Sequence, residues 1–282
     1  RPGRNPAFLR PNQGLEKMKH EMDKTRDEQQ MSLRERLEAT FSDRAQAVTV
    51  ERLSIGLGYT AVGTSEGGIG LSFTYAGSGP ACTKLDLEGD IEGEPALRLL
   101  RLITSDTPLH RSLGLATLNA LNHSFALTLP EDRKNENLLE LLGIKEKTRL
   151  AMVGYIGPLV TRLQQDGVRV EVVDADRNIG DQTRFRDCLR SWAEVLLMTS
   201  TSILNDTAES ILAEAGSKVR CALLGPSTPL TAEPFASLPV HVLAGTVPVD
   251  KEATFRAVRH GRGTPRLQRY ARKPYLEVRS VD

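Results

Sequence analysis

The chain has 282 residues and a formal net charge of +1, with 37 Lys and Arg against 36 Asp and Glu. Hydrophobic residues make up 39% and charged residues 26%, which are ordinary proportions for a globular protein of about two domains. A balanced charge does not favour nucleic acid, and no apolar run approaches the ~18 residues of a membrane-spanning helix. We therefore expect neither a membrane nor nucleic acid as a partner.

Cysteine usage and the first residues of the chain indicate where the protein works. Cys82, Cys188 and Cys221 lie far apart and form no CxxC motif, which argues against a disulfide framework and against a structural zinc site. Residues 1–14 lack the apolar core of a signal peptide. The sequence accordingly predicts a cytoplasmic protein, and it leaves a homo-oligomer open.

The first half of the chain has the pattern of an α+β domain. We expect residues 1–30 to be a disordered or helical N-terminal extension, and residues 31–147 to form a small domain in which helices pack on an antiparallel hairpin. Gly67 and Gly68 are the turn residues of that hairpin. The predicted strands cover 48–62 and 69–75, and the predicted helices after them cover roughly 95–102, 108–123 and 135–142.

Strands and helices alternate in the second half, after a predicted hinge at residues 145–148. Each strand is almost entirely apolar, as expected when helices cover both faces of a parallel sheet. We therefore predict a Rossmann-like, mostly parallel α/β domain over residues 148–282. Its predicted strands are 149–153, 168–173, 194–199, 218–224 and 240–244, and its predicted helices are 158–166, 183–191, 206–215 and 249–260.

The strand–loop–helix–strand unit at residues 149–174 is the most informative part of the chain. Its loop reads Gly154-Tyr155-Ile156-Gly157-Pro158, and its second strand ends in Asp174. An acidic residue about 20 positions after the first glycine is where a dinucleotide-binding fold holds a ribose. The third glycine of the GxGxxG fingerprint is absent, so the unit predicts a Rossmann-like fold more firmly than a dinucleotide ligand.

The loops that follow the predicted strands form one candidate site, because the carboxyl ends of parallel strands meet at the same edge of a sheet. They are rich in glycine, proline and hydroxyl groups and hold few groups for acid–base chemistry. We predict a ligand-binding cleft at this edge. The candidate binding residues are Gly154, Tyr155, Gly157, Pro158, Asp174, Thr199, Asn205, Gly225, Pro226, Ser227 and Thr228.

Each of these loops also has a purely structural interpretation. Gly154 and Gly157 permit tight packing of a strand on the following helix, and Ser227-Thr228 between two prolines forms a rigid turn. The alternatives for the charged residues are a capping box formed by Asp206 with Glu209, and an ion pair of Asp174 with Arg177 or Arg184.

The first domain contributes two further candidates. Asn119 and His123 stand four residues apart on the predicted helix and therefore occupy neighbouring positions of one face. That face is either a polar surface or a wall of the cleft, and we predict that both side chains face the second-domain loops. No HxxxH, HExxH or Cys/His cluster occurs, so the sequence assigns no metal ligand and no catalytic residue.

A basic segment lies near the C-terminus. Residues 259–273 contain six Lys and Arg residues together with Tyr270. Phosphate or nucleic-acid binding uses such clusters. Because the chain as a whole is nearly neutral, we expect this segment to pack along the second domain as an ordinary C-terminal segment.

Four loop motifs in this order resemble the bacterial and archaeal family named "putative heavy-metal chelation", a domain of unknown function. They read AMVGYIGPLV, MTSTSILNDT, LLGPSTPL and VLAGTVPVD with AVRHGRGT, and they lie within residues 148–273. Upstream, GYTAVGTSEGGIGLSFTY and GLATLNALN resemble the companion domain of that family, which is similar to the N-terminal domain of enolases. The resemblance implies an enolase N-terminal-like domain against a Rossmann-like domain, with a site between them. Ser200 and Asp206 stand where the family typically has glycine, which predicts a bulkier, negatively charged third loop.

Two main classes of function are compatible with these observations. The first, implied by the resemblance, is a protein that binds a metal ion or metal chelate and works in heavy-metal handling. The second is an enzyme with a nucleotide-type cofactor, S-adenosylmethionine or a nicotinamide nucleotide, whose ribose contacts Asp174. A small-molecule sensor is a third, non-catalytic option. In each class the partner is a small molecule or a metal.

Overall fold

The computed structural model describes residues 31–76, 85 and 87–279. Within this part, the chain from Leu33 onward belongs to one compact unit. The expected N-terminal extension at residues 1–30, and Cys82, lie outside the described residues. No helix in the described part is long and apolar enough to cross a membrane.

The elements fall into two modules, each with its own sheet. Those of the first module are α1 (Leu33–Ala47), β1 (Val50–Ile55), β2 (Tyr59–Thr64), β3 (Ile69–Phe73), α2 (Leu97–Leu100), a 3-10 turn (Arg101–Thr104), α3 (Pro108–Leu121) and α4 (His123–Ala126). Those that follow are α5 (Glu136–Leu141), β4 (Arg149–Val153), α6 (Gly157–Gln165), β5 (Arg169–Val173), α7 (Gln182–Ser191), β6 (Val195–Thr199), α8 (Thr201–Leu204), α9 (Ala208–Glu214), β7 (Arg220–Leu224), a 3-10 turn (Glu233–Phe235), β8 (Val240–Ala244), β9 (Val247–Pro248), α10 (Lys251–Arg259), α11 (Thr264–Leu267), a 3-10 turn (Gln268–Tyr270), β10 (Ala271–Arg272) and β11 (Tyr275–Glu277).

The first module is built on a three-stranded antiparallel sheet in the order β1-β2-β3. It has one strand more than the predicted hairpin, because the apolar run at residues 48–62 turns back on itself at residues 56–58. β2 is buried along its whole length. The reason is that α3 packs on this sheet, while α10 brings Phe255 into a core cluster with Tyr59 and Ala61.

α3 lies against β3 at a distance that only glycine permits. A Cβ atom on Gly70 would stand 2.0 Å from the Ala116 carbonyl oxygen and 2.2 Å from the Ala120 nitrogen. A Cβ atom on Gly68 would stand 2.2 Å from the Ala120 carbonyl oxygen. Because these atoms belong to the helix backbone, no rotation of a side chain relieves the clash.

The second module is a six-stranded sheet in the order β11-β8-β7-β6-β4-β5. The strands β4 to β8 are parallel, and β11 joins the edge antiparallel to β8. Side chains of β6 alternate between two core clusters, with Leu196 and Met198 in one and Val195 and Leu197 in the other. The sheet is therefore packed on both faces, and the predicted mixed α/β fold with a mostly parallel sheet is confirmed.

The connections of the parallel sheet create a crevice at one edge. The chain passes from β4 to the edge strand β5 and then returns to β6, which lies on the other side of β4. The connections after β4 and β6 therefore leave in opposite directions. Such a topological switch point is where open parallel sheets accommodate ligands.

The C-terminal segment returns to the first module. β9 and β10 form an antiparallel pair, and Leu267 of α11 is buried in the cluster that contains Phe255. The loop after β7 also contacts the first sheet, because the Phe73 N–H donates to Ser227 Oγ at 2.8 Å. These contacts join the two modules through main-chain and side-chain hydrogen bonds as well as apolar packing.

The domain boundary expected at residues 145–148 stays a prediction. This segment is a tight turn in which the Lys145 N–H donates to Thr148 Oγ1 at 3.0 Å and Lys147 adopts a φ of 68°. α5 precedes the turn and buries Leu138 in the cluster that contains Leu150 of β4. α5 therefore packs with the parallel sheet, although it lies before the predicted boundary.

We expect Gly70→Ala to destabilise the protein by about 1–3 kcal/mol or more, because the new methyl group collides with the α3 backbone. Chemical denaturation monitored by circular dichroism measures the effect. Gly58→Ala is the matched control, since a Cβ atom there meets nothing within 4 Å. Equal stabilities of the two variants would contradict the close helix–strand contact.

Candidate functional site

A cavity of about 880 Å³ lies at the carboxyl ends of the parallel strands. Its volume falls in the range of small-molecule sites, about 300–1,000 Å³. The loops after β4 to β8 line it, and Tyr59 and Phe73 of the first sheet also contribute. The crevice at the topological switch point is thus partly covered by the antiparallel module.

Most of the predicted binding residues line this cavity. They are Gly154, Tyr155, Gly157, Pro158, Asp174, Thr199, Asn205, Gly225, Pro226 and Ser227. Their common location follows from the topology, because all belong to loops at one edge of the sheet. Contact of each with a ligand stays a prediction.

Two glycines shape the cavity through their backbone conformation. Gly154 has a φ of +83°, and a Cβ atom there would stand 2.3 Å from Thr199 Oγ1, so the loops after β4 and β6 touch at this point. Gly225 has a φ of +121°, and a Cβ atom there would meet nothing within 4 Å. Both conformations favour glycine, but only Gly154 also serves close packing.

Asp174 connects two of the cavity loops. Its Oδ2 accepts a hydrogen bond from the Tyr155 N–H at 2.9 Å, and its Oδ1 accepts one from the Arg177 N–H at 3.1 Å. The Arg177 guanidinium lies 3.8 Å from the carboxylate and donates to the Tyr155 carbonyl oxygen at 2.8 Å. The ion pair with Arg177 is therefore present, and the carboxylate holds the loop after β4 in place.

The hydroxyl groups at the strand ends mostly bind one another. Thr199 and Thr201 are joined by a hydrogen bond of 2.8 Å, and so are the buried hydroxyls of Ser200 and Thr228. Thr228 is one of the predicted site residues, but it is 3% exposed and lies outside the residues that line the large cavity. Asn205 lines the cavity, and its Oδ1 accepts from Thr207 Oγ1 at 2.7 Å.

Asn119 and His123 do not face the cavity, which differs from the prediction. The Asn119 amide donates to the Leu71 carbonyl oxygen at 2.8 Å, and His123 Nε2 lies 2.8 Å from the Pro248 carbonyl oxygen, to which it donates. Burial lowers the pKa of His123, while the bond to Pro248 opposes this shift. The partners that these buried groups require are main-chain carbonyls and not a ligand.

The loop after β6 also corrects two expectations. Asp206 has a φ of 62°, a left-handed conformation that glycine adopts more readily than other residues. Its carboxylate lies 2.9 Å from Arg34 of α1, so the negative charge of the loop is compensated. The capping box of Asp206 with Glu209, the structural alternative for this loop, does not form, because α9 begins at Ala208 without a side-chain cap and Glu209 accepts from the Leu33 N–H at 3.0 Å.

The described residues do not form a set of side chains that could coordinate a bare metal ion. Among them, no group of three or more His, Cys, Asp and Glu residues is placed to hold one. Soft heavy metals prefer thiolates. Burial raises the pKa of Cys221 to about 12, so that this thiol stays protonated at neutral pH, and Cys188 lies on α7 outside the cavity lining.

Some residues of the cavity were not among the predicted site residues. Tyr59 and Phe73 come from the first sheet and pack edge to face, with ring centroids 6.1 Å apart. Their location depends on how the modules pack, so no local pattern could have revealed it. Lys273 belongs to the basic C-terminal segment, which the sequence showed as a possible anion-binding cluster but did not place at the cavity.

The fold and the cavity are those of a Rossmann-like α/β protein with a small antiparallel module. Two family models that share the description "putative heavy-metal chelation" match the chain, DUF364 over residues 137–277 and DUF4213 over residues 39–122. The first match covers half of the chain, and the protein belongs to the DUF364 family. A comparison with curated proteins finds no match.

Two crystal structures of DUF364-family proteins of unknown function have a similar fold. The protein from Pyrococcus horikoshii has 22% sequence identity and a TM-score of 0.74, over 88% of this chain and 100% of its own. The protein from Desulfitobacterium hafniense has 17% identity and a TM-score of 0.67, over 84% of this chain and 98% of its own. At these identities the similarity supports the fold alone.

We expect Ser227→Ala to reduce the free energy of unfolding by about 1 kcal/mol, because it removes the acceptor of the partly buried Phe73 N–H. Urea denaturation measures the change. Ser191→Ala is the control, since this exposed hydroxyl bonds only to the Asp187 carbonyl oxygen within its own helix, and its effect should stay within about 0.5 kcal/mol. A neutral Ser227→Ala variant would show that the hydroxyl does not join the two modules.

Proposed function

We propose that this protein binds a metal chelate, an organic molecule that itself supplies the donor atoms of the metal. The proposal rests on a difference between the size of the cavity and its supply of metal-binding side chains. The cavity has space for an organic molecule, whereas the described residues hold no cluster for a bare ion. The family description supports a metal as the cargo. Heavy-metal handling in the cytoplasm is the role that we infer.

The cavity walls suit an organic ligand of mixed polarity. Tyr59, Phe73 and Tyr155 supply aromatic surface, and hydroxyl groups of the loop after β6 also line the cavity. At Gly225 the absence of a side chain lets a ligand approach the backbone closely. In this arrangement the protein recognises the organic shell, and the metal stays bound within that shell.

Equilibrium dialysis tests this proposal. The probes are Ni²⁺ and Fe³⁺ as simple salts, and the same metals complexed with citrate, nitrilotriacetate or a trihydroxamate. The bound metal is measured by inductively coupled plasma mass spectrometry. We expect the protein to retain metal from at least one of these chelates and not from the simple salts. Equal retention of simple salts would contradict the proposal and indicate a protein-made metal site.

We expect Gly157→Val to abolish retention of the chelate with limited loss of stability. A Cβ atom at Gly157 meets only the Tyr155 ring, at 3.3 Å, so a larger side chain fills space at the cavity wall and not in the core. Gly58→Val is the matched control, because a Cβ atom there meets nothing within 4 Å and the site lies outside the cavity lining. Loss of folding with intact binding in the folded fraction would assign Gly157 to packing.

A nucleotide-type cofactor is the second candidate, and the position of Asp174 favours it. This residue follows β5, beside the switch point, where related folds hold a ribose. Two backbone N–H groups already occupy its oxygens, which weakens the case. Thermal shift with S-adenosylmethionine and nicotinamide nucleotides separates the candidates. A nucleotide shift that Asp174→Ala removes supports the enzyme, whereas a shift with a metal chelate that Asn205→Ala removes supports chelate binding.

A further inference from the structure

Lys273 places an ammonium group at the cavity wall, on the segment between β10 and β11. Its Nζ donates to the Arg133 carbonyl oxygen at 3.1 Å and to Asn135 Oδ1 at 2.8 Å. An ammonium group has three donors, and both of these partners are neutral acceptors. One donor of Lys273 is therefore left for a ligand.

The positive charge of Lys273 lacks a carboxylate partner at salt-bridge distance among the described residues. The neighbouring Asp132 uses both oxygens to accept from the backbone N–H groups of Glu136 and Leu138, at 2.8 and 2.9 Å. Burial is the main reason why the pKa of Lys273 is lowered, and the negative charge of Asp132 opposes this shift only in part. Because no carboxylate pairs directly with this half-buried positive charge, a bound anion would stabilise it.

The amino end of α6 also lines the cavity, through Gly157 and Pro158. Arg162, in the second half of α6, donates to the Lys134 carbonyl oxygen, in the short loop, residues 133–135, that Lys273 holds. Within the described part of the chain, the backbone N–H groups of Ile156 and Gly157 have no acceptor. α6 has nine residues, and free N–H groups at the start of a helix favour negative charge.

We propose that the ligand is an organic anion, whose acidic group binds to the Lys273 ammonium in the cavity that the amino end of α6 also lines. This inference rests on the proposed function and specifies the ligand class. A polycarboxylate chelate and a nucleotide phosphate offer the same negative oxygens. The cavity size favours an anion that carries a larger organic body.

Isothermal titration calorimetry at constant ionic strength tests the inference, with citrate, inorganic phosphate and AMP as probes and no metal present. We expect at least one of these anions to bind the wild-type protein, and Lys273→Met to weaken its binding by about tenfold or more, because a charge-assisted hydrogen bond is lost. Lys273→Arg keeps the charge and should retain most of the affinity. Lys218→Met removes an exposed lysine just before β7, at the opposite edge of the sheet, and should change nothing.

Two results would overturn the anion site: no binding of any probe to the wild type, or equal affinities of the wild type and Lys273→Met. Binding of citrate in preference to AMP supports a carboxylate ligand, and the reverse supports a nucleotide phosphate. Because metal is absent from every probe, this result is independent of the dialysis experiment. The two experiments can therefore disagree, and the calorimetry can contradict the anion site while the dialysis supports chelate binding.

Discussion

The direct contact between α3 and β3 is the constraint on which the rest of the structure depends. Gly68 and Gly70 leave no side chain in the contact, so the helix backbone rests on the strand. In that position the polar end of the helix reaches main-chain carbonyls of three different segments. The bonds are Asn119 to Leu71, Asn122 to Leu230 and His123 to Pro248. Loss of one partner from a buried bond costs about 1–3 kcal/mol. The bonds of Asn122 and His123 therefore fix the first module to the loops after β7 and β8, while the bond of Asn119 holds α3 on β3.

The cavity follows from this attachment. Because the first module is held over the strand ends, Tyr59 and Phe73 form a wall that the parallel sheet alone lacks. The polar residues at the cavity then separate into two groups. Asp174 and Ser227 hold loops through bonds to backbone N–H groups. Lys273 instead keeps a donor without a partner, and that residue is where we place the ligand's charge.

The sequence predicted the parallel sheet and the edge where the cavity lies, because apolar strands and their loops form a local pattern. It did not separate structural from ligand-facing polar groups. The spacing of Asn119 and His123 indicated either a polar surface or a wall of the cleft, whereas both side chains bind main-chain carbonyls, which satisfy a polar group as well as a ligand does. Lys273 lies at the cavity because its segment pairs on both sides with distant parts of the chain, β10 with β9 and β11 with β8, contacts that no local pattern in the sequence indicates. Asp206 shows the same limit, since its charge meets Arg34 from a distant helix.

A family whose description mentions heavy metals does not require a metal site made of protein side chains. Sites made of protein donors bind divalent ions largely in the Irving–Williams order, so selectivity among metals is difficult to obtain from affinity alone. Recognition of an organic shell avoids this difficulty, because shape and charge of the shell identify the cargo. A cavity of about 880 Å³ with aromatic walls and an uncompensated ammonium is suited to that task. The same features explain why no cluster of metal-binding side chains is needed among the described residues.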